Sequence, residues 1–283
     1  MSAEDRRAAV AEAGPARTAA WSRWEAWLPP LVLAAAGGAV ALAHADRLLF
    51  LLLNHGSSSV PAAVWSTITI FGSGFVLFCV FGWLLFHRTR TFAALILLVP
   101  IAGLVSFGVK RLLQLPRPAA VIPLSDFRII GATLTGTSMP SGHSLTAFAV
   151  AAILVQSARG DSQRVLGVIA VAGAVLVAWS RIAVGAHWPT DVLIGAALGW
   201  ACGTSALALQ RRFGGWHRAA ARRSMAGVVC VAAITLLVAP QEGSETWLLQ
   251  YFIAGAGLVV AVPIVIAPHA SARRAWRRLA HRR

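Results

Sequence analysis

Apolar residues run in long blocks along this chain, separated by short stretches where charged, hydroxyl and helix-breaking residues gather. A helix needs about 20 largely apolar residues to cross a hydrocarbon core of roughly 30 Å. Eight blocks approach that requirement: 28–45, 64–86, 91–112, 142–157, 165–182, 189–209, 225–239 and 247–267. The fourth and seventh are short, which a tilt, a few polar flanking residues or burial by neighbours would accommodate. The pattern predicts an all-α fold, a polytopic transmembrane bundle of about eight helices.

Composition sharpens that picture. Of 283 residues, 58% are hydrophobic and 12% charged, and the mean hydropathy is +0.71; soluble domains are about a quarter charged, so a water-soluble globule is excluded. The net charge of +15 would suggest nucleic acid in a soluble protein. Here the basic residues sit between apolar blocks, so the charge reads as membrane orientation and no nucleic-acid partner is expected. With both termini in the cytoplasm, segments 1–27, 87–90, 158–164, 210–224 and 268–283 share one side and hold 19 of the 25 Lys and Arg residues. The other six, Arg47, Lys110, Arg111, Arg117, Arg128 and Arg181, fall at the opposite face. Cys79, Cys202 and Cys230 lie inside apolar runs without metal-type or paired spacing and read as small buried hydrophobes.

The expected organisation is a basic cytoplasmic leader over 1–27, a transmembrane core over 28–209, a basic cytoplasmic loop with two extra helices over 210–267, and a basic tail over 268–283. Ala43-His44-Ala45 after an apolar run has the look of a signal-peptidase site, but the long charged leader before it favours an uncleaved first helix. The Arg-rich tail suits a helix on anionic headgroups and equally a solvated stop-transfer segment.

Polar groups are costly in a membrane, so their concentration is informative. The first cluster, Lys110 to Pro118, closes the third block. Lys110 and Arg117 are seven residues apart, two helical turns, yet Pro116 should end the helix before both cations share a face. They could still converge on one anion, although snorkelling at a helix end explains the cluster as well. The second cluster, Ser138-Met139-Pro140-Ser141-Gly142-His143-Ser144, opens the fourth helix. Free N–H groups at such a start make an anion site and would put His143 beside the anion, while plain helix capping is the simpler account. The third cluster runs from Ser180-Arg181 to His187-Trp188-Pro189-Thr190-Asp191. Pro189 suits the first helical position, which places Asp191 in the first turn, at the positive end of the helix dipole. Asp191 can then accept a proton from one ring nitrogen of His187 and leave the other nitrogen's lone pair exposed, as a nucleophilic or basic histidine requires. A pair that merely braces a loop is the alternative.

Together these residues resemble the type 2 phosphatidic acid phosphatase (PAP2) superfamily of membrane lipid phosphatases. That family carries Lys, six residues and Arg-Pro, then Pro-Ser-Gly-His, then Ser-Arg, five residues, His, three residues and Asp. Lys110, Arg117 and Pro118, then Pro140 to His143, then Ser180, Arg181, His187 and Asp191 match without departure. The resemblance covers roughly 65–210 and implies a six-helix core, with the last two helices outside it.

The resemblance implies that His187 is the nucleophile, carried through a phosphohistidine, and that His143 is the acid for the departing oxygen. Lys110, Arg117 and Arg181, with Ser141 and the Gly142 amide, would hold the phosphate. Such preorganised donors stabilise phosphoryl charge without a metal, and neither metal nor cofactor is expected. Only Asp191 among the ten acids lies in the motifs, which disfavours a two-metal site. The expected partners are a lipid phosphate substrate and membrane lipids, with no obligate protein partner. The expected place is a bacterial inner membrane with the site facing the periplasm or exterior.

The best substrate expectation is undecaprenyl diphosphate. Phosphatidylglycerophosphate, phosphatidic acid and lipid A remain alternatives, because the loops 46–63 and 119–139 that would select the headgroup carry no readable code. A lipid-to-lipid phosphotransferase would use the same motifs. A transporter is disfavoured because its polar sites belong near the bilayer midplane rather than at helix ends, and a vanadate-dependent haloperoxidase because those similar to it are soluble.

Overall fold

The computed structural model describes residues 23–158, 160–239 and 243–266. The basic leader up to residue 22 and the tail from 267, with their expected roles, lie outside the described residues.

Among the described residues there are eleven α-helices: α1 (Arg23–Leu42), α2 (Asp46–Gly56), α3 (Ala62–Thr69), α4 (Gly74–Val80), α5 (Leu84–His87), α6 (Thr89–Leu113), α7 (Gly142–Ser157), α8 (Asp161–Ala183), α9 (Pro189–Arg212), α10 (Ala219–Val238) and α11 (Trp247–Ile266). Six of them, α1, α6, α8, α9, α10 and α11, are long and apolar enough to cross a membrane. The protein is a multi-pass membrane protein, as the apolar blocks predict. No strand occurs among the described residues beyond one isolated bridge, Pro116 to Thr137.

Block 64–86 is a correction. It does not form one spanning helix but breaks into α3, a 3₁₀ turn over Ile70–Gly72, α4 and α5. Glycines 72, 74 and 82 stand at or beside the breaks, where they weaken helix propagation. Segment 46–63 is the second correction: rather than a loop it contains α2, and α2 with its trailing turn meets α3 at a bend of 116°.

Helix α7 is the short central element, buried along most of its length and packed against α6, α8 and α9. Its closest partner is α9, where Gly195, Gly199 and Gly203 make a stripe at one-turn spacing. A Cβ added at these positions would lie 2.7 Å from the Ser141 oxygen, 2.2 Å from that of Leu145 and 2.3 Å from that of Ala149. Small residues at this spacing let two membrane helices meet backbone to backbone, and here they join the helix that carries His143 in its first turn to the one that begins beside His187. Helix α1 packs on the other side of α9. Pro30 has no N–H for the carbonyl of Ala26, and the Trp200 indole nitrogen donates to that carbonyl instead at 3.0 Å.

Helices α10 and α11 form a pair that packs against α4. Gly257 of α11 abuts Cys79, and the turn before α11 reaches α3, where Ser66 donates to Glu245 at 2.5 Å. The extra helices therefore brace the broken segment 62–80.

Candidate active site

Four helix ends meet at one end of the bundle: the C-termini of α6 and α8 and the N-termini of α7 and α9. Helix α6 stops at Leu113, and Gln114 takes a left-handed conformation at φ 46°, two residues before Pro116. The chain then turns, so Lys110 and Arg117 do not share a helical face. They converge nonetheless: Lys110 Nζ donates to the carbonyl of Thr137 at 3.1 Å and Arg117 Nε to the same oxygen at 3.3 Å. Lys110 also reaches the Ser138 carbonyl at 3.0 Å, and Arg117 Nη1 that of Ala186, next to His187, at 3.0 Å.

Ser141 is the N-cap of α7. Its Oγ accepts from the Ser144 N–H at 3.4 Å and from the Ser144 hydroxyl at 3.1 Å. Its own N–H donates to the Asp191 carbonyl at 3.0 Å, which ties the Pro-Ser-Gly-His turn to the first turn of α9. Gly142 and His143 follow as the first two residues of α7.

His187 and Asp191 are both buried, with His187 Nδ1 3.3 Å from Asp191 Oδ2. The same oxygen accepts the Trp188 N–H at 2.9 Å and a short hydrogen bond from the Ser138 hydroxyl. With Nδ1 directed at the carboxylate, Nε2 keeps its lone pair for chemistry. The His187 pKa lies well below the ordinary histidine value. Loss of hydration on burial is the main cause, followed by the positive fields of Arg117, Arg181, Lys110 and His143. The three cations and the second histidine of the motifs thus all act electrostatically on one imidazole. Arg181 ends α8, buried, and donates to Thr69 Oγ1 of α3.

The structure therefore gathers every residue singled out from the sequence. It also adds residues that the motifs do not contain. Thr69 receives Arg181. Gly72 lies against His143, where an added Cβ would come within 2.5 Å of the imidazole Cδ2. Ser138, the first residue of the second cluster, bonds the catalytic-type carboxylate. Thr69 and Gly72 belong to the broken segment, and reading 64–86 as one membrane helix hid them.

An apolar groove of about 320 Å³ opens between α4, α6 and α7. Its walls include Phe75, Phe78, Leu95, Val99 and Val150, and Gly142 lines it directly before His143. Ser106, another lining residue, is four residues or one turn before Lys110. The groove thus begins beside the first turn of α7, where Gly142 precedes His143, and extends along α4 and α6.

The PAP2 superfamily sequence model matches residues 91–214. The chain is 29% identical over 158 residues to an undecaprenyl-diphosphatase of Sulfolobus acidocaldarius, covering 53% of this chain and 71% of that one. The crystal structure of Aquifex aeolicus LpxE superposes with a TM-score of 0.52 at 29% identity, over 58% of this chain and 94% of LpxE. A transmembrane PAP2-type phosphatidylglycerolphosphate phosphatase from Bacillus subtilis gives a TM-score of 0.48 at 25% identity, over 67% of this chain and 96% of that one. Residues 91–214 thus match the PAP2 superfamily, and the chain is a membrane phosphatase similar to its members.

Proposed function

We propose that this protein hydrolyses a prenyl diphosphate, undecaprenyl diphosphate in particular, at the outer face of a bacterial inner membrane. The observation that carries the reading is the His187–Asp191 pair, 3.3 Å apart, set among Lys110, Arg117 and Arg181 at the mouth of an apolar groove. A headgroup at the pair and a tail in the groove require a lipid phosphate. The relative from Sulfolobus acidocaldarius supports a prenyl diphosphate as its form.

His187 Nε2 attacks the terminal phosphorus, and the bond from phosphorus to the bridging oxygen breaks. His143 gives its proton to that oxygen as the lipid monophosphate leaves. Water then attacks the phosphohistidine, His143 takes the proton back, and inorganic phosphate departs. Lys110, Arg117 and Arg181 neutralise the phosphoryl oxygens, with the Ser141 hydroxyl and Gly142 N–H as further donors. The third ammonium proton of Lys110, beyond the two directed at carbonyls, is available to the phosphate. Asp191 orients His187 and stabilises the cation that forms on it.

Purified protein incubated separately with undecaprenyl diphosphate, phosphatidylglycerophosphate, phosphatidic acid and lipid A tests the substrate. Phosphate release should be fastest from the first, with water as sole acceptor. Faster release from another lipid, or none without a second lipid as acceptor, would overturn the reading.

A further inference from the structure

Helix α2 lies outside the superfamily match and outside all three motifs, yet one of its faces follows the chain around His187. Asp46, Phe50 and Asn54 are spaced four residues apart and form a stripe along that helix. Asp46 Oδ1 accepts the N–H of Thr190 at 2.9 Å. Thr190 is in the first turn of α9, where N–H groups have no partner within the helix and a negative charge is favoured. One turn along, the fully buried ring of Phe50 packs against Trp188, with ring centroids 5.3 Å apart. Another turn along, Asn54 is completely buried, and its amide donates to the carbonyls of Ile182 at 3.0 Å and Ala183 at 3.2 Å, at the end of α8.

Asn54 also forms a two-way pair with Arg128. Its Nδ2 donates to the Arg128 carbonyl at 3.0 Å, and the Arg128 N–H donates to its Oδ1 at 2.8 Å. This pair presses residue 128 against Gly185, which turns the chain at φ +78°; a Cβ there would be 2.7 Å from the Arg128 oxygen. The stripe therefore grips both ends of the segment 182–190, with His187 between the grips.

We propose that Asp46 and Asn54 are positioning residues for His187, holding the imidazole in line for attack without touching the substrate. A buried amide with all its donors and acceptors satisfied fixes one register of the chains it joins. Hydrophobic packing by Phe50 alone would leave that segment free to slide. The inference rests on the proposed role of His187 as nucleophile. Misplacement of a reacting group by about 1 Å costs up to about a hundredfold in rate, and this gives the scale of the expected effect.

The test uses full-length protein in detergent with farnesyl diphosphate as probe, comparing wild type, Asp46→Ala, Asp46→Asn, Asn54→Ser, His187→Ala and Leu84→Ala. Leu84 is fully buried at the far end of the bundle and reports a loss of stability alone. Asp46→Ala and Asn54→Ser should lower kcat by about tenfold or more with KM within about twofold of wild type. The acidic limb of kcat/KM should move toward the ordinary histidine value as the loosened turn lets His187 hydrate. Asp46→Asn keeps an acceptor for the Thr190 N–H and should recover most of the lost kcat. Should Asn54→Ser fail to fold, the Asp46 pair still decides. Wild-type turnover that vanishes in His187→Ala but persists at wild-type kcat in Asp46→Ala would sink the clamp alone. An equal fall in kcat for Leu84→Ala at matched thermal stability would do the same, whereas wild-type turnover unchanged in His187→Ala would sink the proposed mechanism itself.

Discussion

Two histidines share this site, and their surroundings differ. His187 is buried beside a carboxylate that accepts a hydrogen bond from its Nδ1–H, while His143 opens α7 against Gly72, with no such carboxylate in its motif. A nucleophile is needed whatever leaves, whereas a general acid matters most for a poor leaving group. His143→Ala should therefore regain much of its lost rate on an activated aryl phosphate, and His187→Ala should not. The comparison is the mutant-to-wild-type ratio on each substrate, and equal ratios for His143→Ala would reverse the assignment. The neighbouring cations make a second expectation. Burial and positive charge favour neutral His187, so its contribution to the acidic limb of kcat/KM lies below the ordinary value of 6.5. Removing a positive field makes protonation easier, raises the pKa and moves the limb to higher pH. Arg117→Gln should do this, because Arg117 is the largest of the charged contributors. The phosphate substrate titrates near pH 6 itself, so the difference between the two profiles is the measurement. A profile that falls in height without shifting would remove Arg117 as a determinant of the His187 pKa.

At the scale of elements, the joint between α7 and α9 carries the alignment of the two histidine-bearing turns. Gly199→Ala puts a Cβ 2.2 Å from the Leu145 carbonyl oxygen, backbone that cannot rotate away. Overpacking of this kind costs about 1–3 kcal/mol. Gly173 of α8 has nothing within 4 Å of an added Cβ, and Gly173→Ala should be neutral or slightly stabilising. Thermal unfolding in one detergent distinguishes them; equal melting temperatures would mean that the stripe is no tight joint. The ends of these elements were legible in the sequence because a membrane helix announces itself by hydropathy and its termini by Pro, Gly and charge. Lys110, Arg117, Ser141, His143, Arg181, His187 and Asp191 all lie at such termini. The broken segment 62–80 was not legible, because its apolar composition suits one span and only tertiary partners, Arg181 at Thr69 and His143 at Gly72, reward the break. Asn54 was hidden for a related reason: it ends the run Leu48-Leu49-Phe50-Leu51-Leu52-Leu53, and its three carbonyl partners are 74, 128 and 129 residues away.

Across the whole molecule, the site and the basic loops occupy opposite ends of the bundle. Helix α9 begins beside His187 and ends at Arg211 and Arg212, Arg218 caps the start of α10, and Arg222 and Arg223 follow at the beginning of that helix. Short basic loops stay in the cytoplasm, so the chemistry should face outward, where a lipid diphosphate presents its headgroup to water. Ser125 provides a reporter at the site's end: it is exposed, in the stretch between α6 and α7. His217 provides the counterpart, exposed between α9 and α10. Cys79 and Cys202 are buried and Cys230 is partly so, which makes Cys230→Ala a suitable background. In intact spheroplasts, a membrane-impermeant thiol reagent should label Ser125→Cys at once and His217→Cys only after lysis. The reverse order would put the phosphate site in the cytoplasm and overturn the orientation that the charge asymmetry predicts. Labelling of both before lysis would mean leaky spheroplasts, which a soluble cytoplasmic thiol protein monitored in the same sample detects.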